Sequence, residues 1–230
     1  MLTASSSLRS KLPQIGTTIF TRMSELAVKH DAINLSQGFP EFDCSPTLQG
    51  LVGKYVRSGK NQYAPMAGVM SLREAISKKV YEATGKEYHP GSEITIISGA
   101  TEALYAAIST IVHSGDEVIV FEPAYDSYVP AIEMNGGKPV FVTLDPLYDI
   151  IDWNAVAEKI TDRTTAILVN TPHNPTGKVW TKHDLEQLMA LVNKHDSWVI
   201  SDEVYEHIIF DERTHISASS IPALAARTFV

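Results

Sequence analysis

The chain has 230 residues, of which 44% are hydrophobic and 20% charged, and its formal net charge is −8. This composition is typical of a globular protein with a large core, and the acidic charge disfavours binding to nucleic acid or to an anionic membrane surface. The single cysteine, Cys44, cannot form an internal disulfide and fits a reducing compartment, so we expect a cytoplasmic protein. No apolar run approaches the length of a membrane span.

Helices are predicted in three places in the first third of the chain. The first is indicated by apolar residues that recur at helical spacing over residues 19–27. The second is expected over residues 46–57. The third opens on a capping box, S-L-R-E at 71–74, and should end by Gly85.

Two polar loops lie between these helices. The first reads N-L-S-Q-G-F-P at 34–40, and its Gly38 would let the backbone come close to a ligand, although a simple turn before Pro40 also explains it. The second reads N-Q-Y-A-P-M-A-G at 61–68 and carries Tyr63.

Short apolar strands alternate with amphipathic helices in the rest of the chain. This alternation, without repeats, predicts an α/β fold with a mostly parallel sheet and helices on both of its faces. The predicted strands are 94–97, 118–121, 140–144, 166–169 and 198–200, and helices are expected after Thr101, after an Asp152 cap and after a Thr181 cap.

The junction S-G-A-T at 98–101 joins a predicted strand to a helix. It offers free backbone N–H groups, a hydroxyl and the positive end of a helix, which together suit a phosphate. Small residues at a helix start also serve close packing, so the junction alone is a weak signal. Neither a Walker A lysine nor a G-x-G-x-x-G motif is present, which disfavours nucleotide binding.

Two further loops follow strand ends. Tyr125 comes just after the 118–121 strand, where its ring could stack on a flat ligand or serve as a core aromatic in a Pro-containing turn. Asn174 lies between Pro172 and Pro175, so it is either a carboxamide presented by a stiff loop or part of an Asn–Pro turn.

The run S-D-E-V-Y at 201–205 follows the last of these strands. A carboxylate at the carboxyl end of a parallel strand faces the crevice where open α/β sheets bind ligands, and Tyr205 could turn its hydroxyl toward the same space. The alternative is that Asp202 merely caps the following segment.

These groups together suit a flat, phosphorylated, basic aromatic ring, and pyridoxal 5′-phosphate fits them. Asp202 would hold the ring nitrogen protonated, since an opposite charge at contact shifts a pKa by about 1–3 units. Asn174 and Tyr205 would donate to the phenolate oxygen of the ring. No His or acidic residues have metal-ligand spacing, so no metal site is predicted.

On these residues the chain resembles the class I aminotransferases of pyridoxal-phosphate fold type I, and especially the methionine aminotransferases and kynurenine–oxoglutarate transaminases. The resembling motifs occur in the family's order along nearly the whole chain: S-K-L-P-Q-I-G-T-T-I-F-T at 10–21, N-L-S-Q-G-F-P at 34–40, N-Q-Y-A-P-M-A-G at 61–68, S-G-A-T-E-A-L at 98–104, Y-D-S-Y at 125–128, T-P-H-N-P-T-G at 171–177 and S-D-E-V-Y-E-H at 201–207.

The resemblance implies two sets of site residues. Gly38 would donate its backbone N–H to the substrate carboxylate, and Phe20 and Phe39 would line the pocket for an apolar side chain. Tyr63 would reach the cofactor of the neighbouring subunit, because family members are homodimers. The implied cofactor-binding residues are Tyr63, Gly99, Ala100, Thr101, Tyr125, Asn174, Asp202 and Tyr205.

The resemblance also implies an activity and a domain division. The substrates would be a methionine-like or aromatic amino acid and a 2-oxo acid. Residues 1–45 would form an arm and a small-domain segment, and residues 46–230 an incomplete cofactor-binding large domain.

The family also has a lysine that forms the Schiff base, and two later arginines, and the sequence stops at Val230 before all three. Lys178, the lysine nearest to a site loop, is expected to face solvent. We therefore expect the 230-residue chain to be inactive and poorly soluble alone. The alternatives are a non-catalytic scaffold that binds the cofactor weakly or pairs with a full-length subunit, and a cysteine-conjugate β-lyase.

Overall fold

The computed structural model describes residues 10–38, 42–145 and 150–230. The described residues divide into two compact units, one within residues 13–69 and the other within residues 10–12 and 70–230. The division into 1–45 and 46–230 stays a prediction.

The smaller unit contains two of the predicted helices, α1 (Ile19–Lys29) and α2 (Pro46–Arg57). The N-cap of α1 is Thr18, whose hydroxyl oxygen accepts a hydrogen bond from the backbone N–H of Thr21 at 3.3 Å. Pro46 begins α2, where the missing N–H of proline costs nothing. Both helices lie where the sequence predicts them.

The larger unit is a parallel sheet covered by helices. Within the described residues, five strands pair in the order β2-β1-β3-β4-β5, and every pair is parallel. The predicted α/β class is therefore confirmed. The elements are α3 (Met70–Thr84), α4 (Ala100–Ile111), β1 (Glu117–Glu122), α5 (Tyr128–Met134), β2 (Lys138–Thr143), α6 (Trp153–Lys159), β3 (Thr164–Asn170), α7 (Lys182–His195), β4 (Trp198–Asp202), a 3₁₀ turn (Ala218–Ser220), α8 (Pro222–Ala225) and β5 (Thr228–Phe229).

Alternate residues of the central strands enter two separate cores, one on each face of the sheet. On β1, Ile119 packs with α6, α7 and α8, whereas Val120 packs with α4 and α5. The same alternation divides β3 and β4, where Val199 belongs to the first core and Ile200 to the second. The near-continuous apolar runs of these strands reflect burial on both faces.

The chain leaves β1 and β3 toward opposite faces of the sheet. After β1 it enters α5, on the face that also carries α4, and after β3 it enters α7 on the other face. Loops that diverge in this way open a crevice at the carboxyl ends of the two strands, which is where open α/β sheets bind ligands.

At the amino edge of the same sheet, one acidic side chain contacts residues of two neighbouring segments. Glu117, at the start of β1, is 4% exposed and accepts hydrogen bonds from Thr161 Oγ1 at 2.7 Å and from Arg163 Nη2 at 2.6 Å. Lys138, at the start of β2, places its Nζ 3.9 Å from the same carboxylate. The hydrogen bonds and charges of these partners hold the pKa of Glu117 below its ordinary value.

Local predictions fail where secondary structure depends on distant partners. The sequence predicts a strand at Ile94–Ile97, but this segment has no regular secondary structure and pairs with no strand of the described residues. The sequence pattern does not predict helices α5 and α8, because each is too short to show a helical repeat and contains a proline near its start.

No helix in the described ranges combines the length and the apolar character needed to cross a bilayer.

Candidate functional site

Asp202 ends β4 at the carboxyl edge of the sheet and is half-buried. Its Oδ2 accepts a hydrogen bond from the hydroxyl of Tyr128 at 2.7 Å, and its Oδ1 accepts one from the backbone N–H of Val204 at 3.2 Å. Both donors are neutral, so the carboxylate is held in place while its charge stays available to a cation.

Tyr128 is a site residue that sequence reasoning missed. It is 2% exposed, and burial first, then the charge and hydrogen bond of Asp202, raise the pKa of its phenol far above the ordinary value of 10.0. The phenol therefore remains a fixed donor to Asp202. Its position three residues after Tyr125, on the first turn of a helix, was the signal that could have identified it.

Tyr125, Asp202 and Tyr205 all interact with Tyr128. The rings of Tyr125 and Tyr128 meet edge to face, with centroids 5.7 Å apart and an interplanar angle of 74°. Tyr205 is close enough to Tyr128 to contribute to the rise in its pKa. The structure thus brings Tyr125, Asp202 and Tyr205, which the sequence predicts as neighbours, to one place around a fourth residue.

Asn170 joins the ends of β3 and β4 and was also missed. It is 3% exposed, its Nδ2 donates to the backbone carbonyl of Asp202 at 2.9 Å, and its Oδ1 accepts from the backbone N–H of Asn174 at 2.7 Å. One side chain therefore sets the spacing between the Asn174 loop and the Asp202 backbone. A polar residue directly after the apolar run Ala166–Val169 was the available signal.

The loop that carries Asn174 is closed by its own hydrogen bonds. Thr171 is fully buried and its Oγ1 accepts from the N–H of Trp180 at 3.0 Å, while the N–H of His173 donates to the carbonyl of Lys178 at 2.9 Å. His173 Nδ1 lies 2.8 Å from Thr176 Oγ1. These bonds hold the backbone of the loop in the conformation that presents Asn174.

His173 has a structural role in this loop. It is 4% exposed, and burial lowers the pKa of its imidazole below 6.5, partly offset by a hydrogen bond with the backbone of Pro123. The neutral ring thus ties the Asn174 loop to the segment that follows β1.

The start of α4 lies toward the same edge of the sheet. Helix α4 ends at Ile111, six residues before β1 begins, so its other end points toward the carboxyl edge. Gly99 caps it with φ +89°, a conformation that favours glycine, and open space surrounds the position where a Cβ would project.

The first turn of α4 has the features of an anion site. Ala100 and Thr101 are exposed there, and the N–H groups of a first turn have no partners within their own helix. The carboxylate of Glu102 already accepts the N–H of Ser98 at 3.2 Å. The backbone N–H of Gly99 donates to the carbonyl of Ile97 at 2.8 Å, so the N–H groups of Ala100 and Thr101, with the positive end of the helix, are what this turn offers to a phosphate.

A cavity of about 540 Å³ adjoins these loops. Asn174 and Tyr205 both line it, together with Pro172, Ile208 and Phe210.

Lys178 also lines this cavity, and the prediction that it faces solvent is wrong, because it is 8% exposed. The turn that closes the Asn174 loop draws it inward: its backbone N–H contacts Thr176 and its carbonyl accepts from His173.

Four predicted site residues lie in the smaller unit or outside the described ranges. Phe20 is half-buried and lines a shallow groove of about 640 Å³ on that unit, whereas Gly38 and Tyr63 are exposed. Tyr63 is entirely exposed, at 105%. Phe39 lies outside the described residues. The roles of these four residues stay predictions.

The donor set resembles that of a site for an organic ligand. The described residues contain no group of three His, Cys, Asp or Glu side chains suited to a metal ion. What they provide is one carboxylate, phenol and amide side chains, and a helix start, in a crevice at the switch point of an α/β sheet. These features define the class of α/β enzymes that bind a phosphorylated aromatic cofactor.

The particular family follows from sequence comparison. The profile of the family "Aminotransferase class I and II" matches residues 30–229, and the chain belongs to that family. The family predicted from the sequence is thereby confirmed.

Individual relatives agree with this assignment. The chain is 50% identical to the methionine aminotransferase of Escherichia coli over 219 residues, which is 95% of this chain and 57% of that enzyme. It is 37% identical to human kynurenine–oxoglutarate transaminase 1, covering 89% of this chain and 51% of the human protein. The chain thus spans little more than half the length of these relatives.

Solved structures give the same result. The structure of YbdL from Escherichia coli, described as having a methionine aminotransferase function, superposes with a TM-score of 0.93 over 96% of this chain and 58% of that one, at 50% identity. The N-succinyldiaminopimelate aminotransferase of Mycobacterium tuberculosis superposes with a TM-score of 0.91 at 38% identity, with the same coverage.

The cofactor of this family is pyridoxal 5′-phosphate, and the residues present fit it. The half-buried carboxylate of Asp202 suits the ring nitrogen, and the open cradle at Gly99 suits the phosphate. The edge-to-face pair of Tyr125 and Tyr128 places an aromatic wall beside that carboxylate.

Proposed function

We propose that this protein is a pyridoxal-phosphate aminotransferase that moves an amino group from a methionine-like or aromatic amino acid to a 2-oxo acid. The observation that carries the proposal is Asp202, an acid at the carboxyl edge of the sheet that is fixed by neutral donors and keeps its charge for a cationic ring.

The side chains at the crevice have distinct roles in this proposal. When bound, the cofactor supplies an electron sink and the carbonyl carbon that carries the amino group. Asp202 keeps a proton on the ring nitrogen, because a negative charge at contact stabilises the protonated form. Asn174 and Tyr205 donate hydrogen bonds to the phenolate oxygen, and the first turn of α4 binds the phosphate.

The substrate class rests on the relatives and on the smaller unit. The 50% identity to a methionine aminotransferase favours a methionine-like donor, and the human kynurenine–oxoglutarate transaminase favours an aromatic one. In this proposal the Gly38 N–H binds the substrate carboxylate, and Phe20 and Phe39 contact its apolar side chain.

The assembly proposed is a homodimer in the cytoplasm. Tyr63, entirely exposed on its own chain, would complete the cofactor site of the partner by contacting the phosphate. A single cysteine and an acidic net charge suit a reducing compartment.

Binding of the cofactor is the direct test. The purified chain is titrated with pyridoxal phosphate and, in parallel, with pyridoxal, and binding is followed through the absorbance and circular dichroism of the ring. We expect saturable binding of pyridoxal phosphate and much weaker binding of pyridoxal, because only the former can use the α4 cradle. Equal affinity for both ligands, or no binding, would contradict the proposal.

Amino transfer is measured separately, on the 230-residue chain and on the longest product of its reading frame. Methionine or kynurenine is supplied with a 2-oxo acid, and the new amino acid and oxo acid are quantified. We expect the new amino acid and the new oxo acid to appear together and in equal amounts. Release of pyruvate and ammonia from a substrate with a β-leaving group would instead indicate β-lyase chemistry.

A further inference from the structure

Asp202, the last residue of β4, and Glu203, the residue after it, are adjacent acids whose side chains lie toward opposite faces of the sheet. Asp202 contacts Tyr128, which belongs to the core shared with α4 and α5. Glu203 contacts Ala218, which belongs to the core on the other face, shared with α7 and α8. The first acid faces the proposed cofactor, whereas nothing in the proposed function uses the second.

The carboxylate of Glu203 is buried and fully engaged. Its side chain is 7% exposed, its Oε1 accepts from Ser201 Oγ at 2.8 Å and from the N–H of Ala218 at 2.9 Å, and its Oε2 lies 2.9 Å from Nε2 of His215. His215 is itself 9% exposed. These contacts fix the orientation of Glu203 against the 215–218 segment.

Glu203 lies between the two backbone groups that hold Asp202. The carbonyl of Asp202, which precedes Glu203, accepts from Asn170 and from the N–H of Thr171 at 3.1 Å. The N–H of Val204, which follows Glu203, donates to Asp202 Oδ1. A rotation about the backbone of Glu203 would therefore move the Val204 N–H away from the carboxylate.

We propose that Glu203 is a positioning residue. Its side chain is anchored to His215 and Ala218, and this anchoring fixes the direction of the Val204 N–H, which orients the Asp202 carboxylate. The orientation of Asp202 by Glu203 is a property of the cofactor-free chain. The effect of that orientation on cofactor affinity rests on the proposed function.

Two substitutions at this position separate hydrogen bonding from charge. In Glu203→Gln, the amide oxygen replaces Oε1 as acceptor for Ser201 and Ala218, and the NH₂ group takes the place of Oε2 beside Nε2 of His215. In Glu203→Ala, all three contacts are lost. Glutamine should therefore preserve the positioning that alanine abolishes.

Glu117→Ala is the matched control for general loss of stability. Glu117 is as buried as Glu203 and as well bonded, but it lies at the amino edge of the sheet. If Glu203→Ala does not yield folded protein, His215→Ala serves in its place, because it leaves Ala218 and Ser201 bound and removes one anchor.

The first readout is the NMR chemical shift of the Val204 amide proton in the cofactor-free chain. We expect Glu203→Ala to move it toward the unbonded value, His215→Ala to move it part of the way, and Glu203→Gln and Glu117→Ala to leave it unchanged. An unchanged shift in Glu203→Ala or its substitute, or an equal change in Glu117→Ala, would overturn the proposal.

The second readout is the Kd for pyridoxal phosphate, measured where each variant is fully folded. We expect Glu203→Ala to weaken binding about tenfold, by analogy with the loss of a group that orients a metal-binding side chain, and Glu203→Gln and Glu117→Ala to change it by less than about twofold. Glutamine as damaging as alanine would mean that charge, and not hydrogen bonding, is responsible, which also overturns the proposal.

Failure of the two proposals can be told apart. If the parent chain binds no pyridoxal phosphate, the proposed function is contradicted, and the Val204 shift alone decides whether Glu203 positions Asp202. If the parent binds and Glu203→Ala binds equally well, the proposed function stands and the role of Glu203 is refuted.

Discussion

Glu117 and Asp202 stand at opposite edges of the same parallel sheet, and their partners differ in kind. Glu117 is held by a hydroxyl and by two cations, Arg163 and Lys138, and so joins β1, β2 and the segment before β3. Asp202 is held by a phenol and a backbone N–H, both of them neutral.

The difference separates an acid that supports the fold from one that is available for chemistry. The charge of Glu117 is already balanced by protein cations, so it has nothing left to offer a ligand. The described partners of Asp202 orient its carboxylate but do not neutralise its charge. A cationic ring bound in the crevice would balance that charge. The predictions below test this contrast, from the largest expected effect to the smallest.

Replacing Asp202 with Asn should affect binding and not stability. The carboxamide is nearly the same shape, but without the charge the protonated ring loses its partner, and we expect the Kd for pyridoxal phosphate to rise about 100-fold, which corresponds to about two pK units of the ring nitrogen. Spectroscopic titration measures the affinity. The control, Glu117→Gln, should bind the cofactor like the parent chain; if both variants bind alike, the contrast between the edges is lost.

Replacing Glu117 with Ala should affect stability and not binding. The change removes hydrogen bonds from Thr161 and Arg163 to a buried carboxylate, and we expect the free energy of unfolding to fall by about 2 kcal/mol. Urea denaturation followed by circular dichroism measures this loss. A matched change in an exposed acid, Glu158→Ala, should cost much less, and a comparable loss there would remove the special role of Glu117.

Replacing Tyr128 with Phe should lower both stability and cofactor affinity, each by less than the two substitutions above. The ring contact with Tyr125 is kept, but Asp202 loses its donor, so we expect a loss of about 1 kcal/mol in stability and a weakening of cofactor binding by about fivefold. Replacement of the equally aromatic Tyr105, an exposed residue of α4, with Phe serves as the control. Unchanged affinity in Tyr128→Phe would show that the Val204 N–H orients Asp202 without help.

Lowering the pH should reduce the stability contributed by Glu117 and by His173 in two different pH ranges. Hydrogen bonds from Thr161 and Arg163 lower the pKa of Glu117 below 4.5, so its contribution to stability is present above that value and is lost as the pH falls through the lowered pKa. Burial lowers the pKa of His173 below 6.5, so stability falls as the pH drops below 6.5, where the unfolded imidazole takes up a proton first.

Thermal unfolding from pH 7 downward in the parent, Glu117→Gln and His173→Gln chains separates these contributions. The stability of each glutamine variant should depend less on pH than that of the parent, and only in the pH range assigned to the residue that was replaced. A flattening of the same range by both substitutions would contradict the assignment of each range to one residue.

Buried strands and capped helices were predictable because their signals are local. The apolar runs of β1, β3 and β4 occur where predicted, and the Asp152 and Thr181 caps both accept backbone N–H groups at the starts of α6 and α7. The strand expected at 94–97 was wrong, since a strand needs a neighbour to pair with and local sequence does not specify one.

The candidate site was predictable as a set of strand-end residues, but its internal bonds were not. Topology alone brings Tyr125, Asn174 and Asp202 to one edge. That Tyr128 donates to Asp202, and that Asn170 links two loops, depends on side-chain directions between segments 32 to 74 residues apart. The inward position of Lys178 likewise follows from the turn geometry of its loop.

The alternation of side chains along β4 makes the site unusually sensitive to insertion and deletion. A shift of one residue in the register of β4 would send Asp202 toward the Ala218 side and bring Glu203 to the crevice, leaving an acid on each face. The composition of the edge would be unchanged, yet the longer Glu203 side chain would stand beside Tyr128 and the shorter Asp202 would face His215. A one-residue deletion within residues 198–201 should therefore be far more harmful than any single substitution there, although it removes no residue of the site.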